Sequence, residues 1–243
     1  MATAVAHDDT ATPDGLLPEE EEHVRRAVPA RRQEYATARH CVRRALAGLG
    51  LPPAPVPTGP SGAPRWPDGV TGSITHCRGY RAAAVARTTG TTALGIDAER
   101  HLPLPGGVLE TIARAEELHC LAPLERDHPG IRWDTVLFSA KEAVYKAWFP
   151  HFRRNLSFED ASLRFRTVAD RATGTTGTFT ARLLVPGSPY RRFTGRWIVA
   201  DGLVATAVHL PAASPGQVDH RSSPARLGGE VPGLSLRDVV RSR

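Results

Sequence analysis

Of the chain's 31 basic residues only two are lysine, Lys141 and Lys146, and both lie in Phe138-Ser-Ala-Lys-Glu-Ala-Val-Tyr-Lys-Ala-Trp-Phe149. An ammonium is compact, rotatable and able to give up a proton, whereas a guanidinium is a planar fork that stays charged. A lysine pair flanking Glu142 is therefore the first place to look for proton transfer or phosphate chemistry, the plain alternative being chance on an exposed helix face. A second cluster lies in Ala93-Leu-Gly-Ile-Asp-Ala-Glu99. In an extended chain Asp97 and Glu99 project onto one face, roughly 7 Å apart at the backbone. Carboxylates that close repel unless a cation sits between them, and hard divalent ions such as Mg2+ bind through one or two carboxylates plus substrate phosphates. Alone, Asp-x-Glu also describes a solvated strand end. The third cluster is Gly72-Ser-Ile-Thr-His-Cys77, where His76 ends a short alternating strand. An imidazole there can donate to a phosphate, or simply be a satisfied structural residue.

The elements that must hold these residues follow from period and punctuation. Trp133, Val136, Leu137, Ala140, Val144, Ala147 and Trp148 form one stripe of a 3.6-residue helix, which Pro150 ends. The opposite face carries Glu142 and Lys146 among Phe138, Tyr145 and Phe149, so the helix is expected between a core and a cleft. Ser139 and Glu142 also match a capping box, and Glu142 and Lys146 a solvated i,i+4 ion pair, but the stripe begins before Ser139. Gly95 permits close approach of another group to the Asp97 strand. A helix over Arg31–Leu49 buries Tyr35, Ala38, Val42, Ala45, Leu46 and Leu49, presents Arg32, Arg39 and Arg43 on its other side, and closes at Gly50. A Pro- and Gly-rich link from Pro52 to Pro67 leads to the Gly72 strand, a strand over Tyr80–Arg87 and the Asp97 strand. After a helix near Val108–His119 and the Glu142 helix come strands over Ala161–Thr167, Thr178–Val185, Phe193–Ala200 and Leu203–His209, the last two joined through Asp201-Gly202. Each half is a helix followed by antiparallel strands, an α+β pattern. Residues 1 to 17 read as a mobile tail and those from Pro211 to the end as disordered, with Leu234–Val240 able to form a short helix.

Taken together, Gly72-Ser-Ile-Thr-His76, Gly95-Ile-Asp-Ala-Glu99 and Phe138-Ser-Ala-Lys-Glu-Ala-Val-Tyr-Lys146, in this order and spacing, resemble the signature of 4'-phosphopantetheinyl transferases, nearest the enterobactin synthetase component D branch in an actinobacterial form. Arg31-Arg-Gln-Glu-Tyr-Ala-Thr-Ala-Arg39 and Pro64-Arg-Trp-Pro67 share the resemblance, which runs from about residue 18 to 210. Two positions depart from it: Ala38 stands where the family usually has glycine, and Ala63 where relatives often carry a basic residue.

The resemblance implies two similar subdomains, residues 18–92 gripping the nucleotide end of coenzyme A and residues 93–210 carrying metal and catalytic groups, with the active site between them. It implies transfer of the phosphopantetheine arm of coenzyme A to a serine of an apo acyl or peptidyl carrier protein, releasing adenosine 3',5'-bisphosphate. By motif match Asp97, Glu99 and Glu142 would hold Mg2+ or Mn2+, Glu142 would take the serine proton, and Lys146 would serve the leaving phosphate. Arg31, Arg39, Ser73, His76 and Lys146 would grip coenzyme A, and Lys141 would only flank the site. A non-catalytic protein that binds coenzyme A and a carrier, and a Mg2+-dependent hydrolase of the coenzyme A pyrophosphate, are the alternatives. Fatty-acid, polyketide, nonribosomal-peptide, antibiotic and siderophore pathways are all compatible carrier sources.

Composition narrows the class. The net charge of +6 and pI near 9.8 favour an acidic partner, which carrier proteins and coenzyme A both are. Basic residues are spread along the chain without a nucleic-acid-binding signature, so no nucleic acid partner is expected. Cys41, Cys77 and Cys120 have no metal-ligand spacing and are odd in number, against a disulfide framework. The amino terminus carries Asp8 and Asp9 in place of a basic segment and apolar core, and no run approaches the roughly 20 apolar residues that span a bilayer. A cytoplasmic protein with no membrane partner is expected, and the resemblance implies a monomer.

Overall fold

The computed structural model describes residues 1–9, 15–171 and 174–212. Its strands and helices run β1 (Ala2–Ala6), α1 (Pro18–Val24), α2 (Pro29–Gly48), β2 (Val70–Cys77), β3 (Tyr80–Arg87), β4 (Thr91–Arg100), α3 (Val108–Ile112), α4 (Ala115–Asp127), α5 (Trp133–Phe152), β5 (Ala161–Arg171), β6 (Gly174–Leu183), β7 (Arg192–Ala200) and β8 (Leu203–Pro211). The strands pair antiparallel into two sheets, β1-β3-β2 and β4-β8-β7-β6-β5. Each sheet carries one helix of 20 residues, α2 on the first and α5 on the second, giving two α+β subdomains.

The layers are stacked helix, sheet, sheet, helix. Ala83 and Val85 of β3 pack against Val42, Ala45 and Leu46 of α2. Ala82, Ala84 and Ala86 turn the other way, onto Leu94, Ile96 and Ala98 of β4 and Ala205 and Ala207 of β8. A strand covered on both faces has no polar side to show, hence the unbroken small apolar run of β3. The α5 stripe buries Trp133, Val136, Leu137, Ala140, Val144, Ala147 and Trp148 against Phe179, Trp197 and Val208.

The sheets meet along a seam of hydroxyls. At the edge of its sheet β4 leaves alternate N–H groups unpaired by β8; Ile96 N–H donates to Ser73 Oγ at 3.0 Å and Ala98 N–H to Thr75 Oγ1 at 2.9 Å. Two side chains of β2 thus satisfy an edge that would otherwise expose bare backbone.

Four readings of the sequence are corrected. Ala2–Ala6, read as part of a mobile tail, form β1 and pair with β3 from Ala2↔Val85 to Ala6↔Arg81. Three alanines in a run of five dilute the strand signal of Thr3 and Val5, and the pairing is a tertiary effect. Pro150 lies inside α5, which ends at Arg153 in the left-handed region (φ 49°). One lost backbone bond near the end is tolerated because Phe152 stacks on Trp148 with centroids 3.8 Å apart. The helix expected near Val108–His119 is broken at Ala113, where the Arg114 N–H donates to Glu117 Oε2 at 2.8 Å and starts α4 afresh. Arg39, placed on the open side of its helix, is buried. The C-terminal tail, apart from Pro211 and Ala212, and the short helix over Leu234–Val240 lie outside the described residues.

Candidate active site

The site begins with a missing side chain. A Cβ on Gly95 would lie 2.0 Å from Ala143 O and 2.7 Å from Ala147 N, so the α5 backbone rests directly on β4 at this point. Only glycine allows that approach. It brings Glu142 and Lys146, which neighbour Ala143 and Ala147 on α5, to the strand face that carries Asp97 and Glu99. Across this contact, between the two sheet-and-helix layers, opens a cleft of about 410 Å3. Asp97, Glu99, Glu142 and Lys146 line it, and so do Arg31, Arg39, Ser73 and His76. Phe138, Tyr145 and Phe149 of α5 supply apolar wall, as the mixed face of that helix suggests.

Among the acids Asp97 is 3% exposed. Its Oδ1 accepts from Lys146 Nζ at 2.6 Å and from Thr75 Oγ1 at 3.1 Å, while Oδ2 is buried without a hydrogen-bond partner. Glu99 and Glu142 are half-buried. Desolvation first, and then the charges of Asp97 and Glu142, push the Glu99 carboxyl up to about 7. The Glu142 carboxyl is raised by desolvation and by Asp97, with Lys146 opposing. Three coupled acids with one orphaned carboxylate oxygen form a donor set suited to a hard divalent cation. Among the described residues, however, no group of three His, Cys, Asp or Glu side chains is set as a ready-made metal cage. The expected convergence of three carboxylates is thus a shared cleft wall, and Lys146 compensates Asp97 directly. A cation there would complete its shell with water or ligand phosphates, as Mg2+ commonly does.

The basic residues come from α2 and β2, with the segment before β2 held by Arg39. Arg39 donates from Nε to Val56 O at 2.6 Å and from Nη2 to Tyr35 Oη at 2.9 Å and Thr58 Oγ1 at 3.1 Å, with its guanidinium 4.0 Å over the Tyr35 ring. Burial lowers its basicity from the ordinary value, against the pull of Tyr35 and Glu20. The guanidinium therefore fixes the loop at Val56–Thr58 as well as lining the cleft. Arg31 is exposed, 3.1 Å from Glu34 Oε2, and its Nη1 lies 3.5 Å from His76 Nε2. Desolvation and then the Arg31 charge lower the pKa of His76, which favours the neutral ring. Ser73 is 3% exposed, and its recorded bonds are those of the seam to Ile96. Ala38 and Ala63 both line the cleft.

Lys141 faces away from this chemistry. It is 3% exposed and donates to Ile112 O and Phe158 O at 2.7 Å each and to Ala161 O at 3.2 Å, beside Glu117 at 2.8 Å. Ser139 is mid-helix, its hydroxyl 2.9 Å from that of Thr206, so it caps nothing. Sequence reading missed Thr75, Glu34 and Tyr35. The alternation Ser73-x-Thr75 beside a candidate acid strand, and the i,i+3 spacing of Arg31 and Glu34, were the signals available. All three cysteines are free.

Comparison with known proteins bears on this arrangement. Residues 19–86 match the family model of the 4'-phosphopantetheinyl transferase N-terminal domain, and residues 93–197 match that of the 4'-phosphopantetheinyl transferase superfamily. The 4'-phosphopantetheinyl transferase Svp of Streptomyces mobaraensis is 50% identical over 215 residues, covering 85% of each chain. The 4'-phosphopantetheinyl transferase PptT of Mycobacterium tuberculosis is 49% identical over 206 residues, covering 82% of this chain and 88% of its own. Enterobactin synthase component D of Salmonella typhimurium is 27% identical over 217 residues, covering 87% of this chain and 84% of its own.

Proposed function

Since the chain belongs to the 4'-phosphopantetheinyl transferase superfamily and is a transferase, we propose that it moves the 4'-phosphopantetheine arm of coenzyme A onto a serine of an apo acyl or peptidyl carrier protein. The observation that carries this reading is one cleft lined both by Arg31, Arg39 and His76 and by Asp97, Glu99, Glu142 and Lys146. A diphosphate ester fits that mixed charge, its nucleotide phosphates toward the guanidiniums and its reacting phosphorus toward the acids.

In this reading the serine Oγ forms a bond to the pantetheine-side phosphorus. The bond from that phosphorus to the bridging oxygen breaks, and its electron pair leaves with adenosine 3',5'-bisphosphate. Glu142, whose carboxyl is raised toward the working range, takes the serine proton. Lys146 stands within reach of Asp97 and offers positive charge or a proton to the leaving phosphate. Arg31, Arg39 and His76 hold the nucleotide end, so the reaction depends mainly on positioning and charge neutralisation. Asp97, Glu99 and Glu142 would hold Mg2+ or Mn2+, which when bound neutralises the diphosphate. A monomer acting in the cytoplasm on acidic carriers, without nucleic acid or membrane, completes the proposal. Among the described residues no helix is long and apolar enough to cross a membrane.

The test is to incubate the protein with coenzyme A, Mg2+ and an apo carrier protein and to weigh the carrier. A mass gain equal to the phosphopantetheine arm is expected. Loss of coenzyme A without that gain would make the protein a hydrolase, and neither change would make it a binder.

A further inference from the structure

At one end of the first subdomain the apolar layer between α2 and its sheet gives way to charge. His76 of β2, Arg81 of β3 and Ala6 of β1 form one cross-strand row, since His76 pairs with Arg81 and Ala6 with Arg81. Arg81 is 2% exposed, an unusual place for a full charge, and its compensation comes from two carboxylates. Its Nη2 donates to Asp9 Oδ2 at 2.8 Å and to Glu34 Oε1 at 3.1 Å. Its Nη1 donates to Tyr80 O at 2.8 Å and to Cys77 O. The second oxygen of Glu34 accepts from Arg31 Nη1 at 3.1 Å, and that nitrogen also lies 3.5 Å from His76 Nε2. A continuous chain of contacts therefore runs from Asp9 through Arg81 and Glu34 to Arg31 and His76 on the cleft wall.

Glu34 is a carboxylate lining the cleft beside Arg31 and His76, where an unpaired negative charge would repel a phosphate. Its bond to the buried Arg81 offsets that charge. Its other oxygen then fixes the direction of an exposed arginine that would otherwise sample many rotamers. Asp9 shares the Arg81 guanidinium and is itself tied to α2, since Gln33 Nε2 donates to Asp9 O at 2.6 Å. The family match begins at residue 19, so Asp9 and β1 lie outside it.

We propose that Glu34, backed by Arg81 and by Asp9 of the N-terminal segment, is a positioning residue that aims Arg31 beside His76 at the phosphates of the nucleotide end of coenzyme A. This rests on the proposed function, in which Arg31 grips those phosphates. The alternative is competition, with Glu34 holding Arg31 away from ligand.

Steady-state kinetics on the full chain, with coenzyme A varied at saturating apo carrier, separates the two. Glu34→Gln raises the KM for coenzyme A about tenfold, the scale on which an outer partner of a ligand-holding side chain acts. The kcat and the KM for carrier stay at parent values, a split that a loss of folding alone would not produce. Asp9→Asn moves the same KM in the same direction by less. In an Arg31→Ala background, Glu34→Gln adds nothing, because its effect passes through the missing arginine. An unchanged or lower KM in Glu34→Gln, or an undiminished effect in the double variant, overturns the positioning role alone. An unchanged KM in Arg31→Ala overturns the grip assigned to Arg31, and this inference with it.

Discussion

Two ammonium groups five residues apart on α5 meet opposite surroundings. Behind the helix, Lys141 is 3% exposed, held by three carbonyls and the equally buried Glu117. In front of it, Lys146 stands at the cleft with a quarter of its side chain exposed and holds Asp97 at 2.6 Å. Burial lowers the pKa of Lys141, with Glu117 opposing, yet that ammonium does not line the cleft. A rare residue type therefore marks two different needs in one helix. One is a flexible cation that can reach three carbonyl oxygens and a carboxylate at once. The other is a compact charge beside phosphate. A guanidinium fork suits neither.

Substitutions can break that contrast. The largest effect is expected from Asp97→Ala or Glu142→Ala, each lowering carrier modification about 10³-fold or more. The thermal midpoint is not lowered in Glu142→Ala, where repulsion is relieved, but falls in Asp97→Ala, which also loses the bonds to Lys146 and Thr75. Carrier mass spectrometry beside a melting curve reads both; parent-like transfer by either variant removes it from the site. Next comes Lys141→Met, which strands Glu117 in the interior and lowers stability by about 3 to 4 kcal/mol in denaturant titration. Adding Glu117→Gln, which removes the stranded charge and keeps an acceptor for the backbone N–H groups of Arg114 and Leu163, recovers part of that loss, while turnover per folded molecule changes little. If Lys141→Met abolished turnover and kept stability, the two lysines would have been assigned the wrong way round. Lys146→Arg gives the opposite profile, about a 10²-fold fall in kcat with stability retained, because the fork cannot sit where the ammonium does.

The smallest effect concerns pH. Folding raises the Glu99 carboxyl from 4.5 to about 7, so the native state binds the proton more tightly than the unfolded chain does. The contribution is present in full below 4.5 and is lost as pH rises toward about 7. Without divalent cation, Glu99→Gln should flatten the fall in stability across this window. An identical slope in parent and variant would remove Glu99 as its source.

Much of the site was legible because it depends on local rules. The helical period named the buried α5 stripe apart from Ala143, strand alternation put Asp97 and Glu99 on one face, and Gly95 announced a close approach that proved to be the α5 backbone. What stayed hidden depends on partners distant in the chain. Lys141 looks catalytic until Glu117, on another helix, is seen beside it. Arg39 looks solvated until the carbonyl of Val56 turns toward it. The first strand is invisible because its alanines acquire their strand state only from β3. The protein interior satisfies charges over long sequence separations, and no periodicity records that.

Ser73 and Thr75 do with two hydroxyls what a run of peptide bonds would otherwise do, and this has a price in constancy. Peptide geometry is the same whatever the sequence, but a hydroxyl disappears with one codon change. The spacing of the two sheets thus rests on two side chains that single substitutions can remove. Thr75→Val, keeping the shape but losing the bonds to Ala98 and Asp97, would alter that spacing and the aim of the aspartate together.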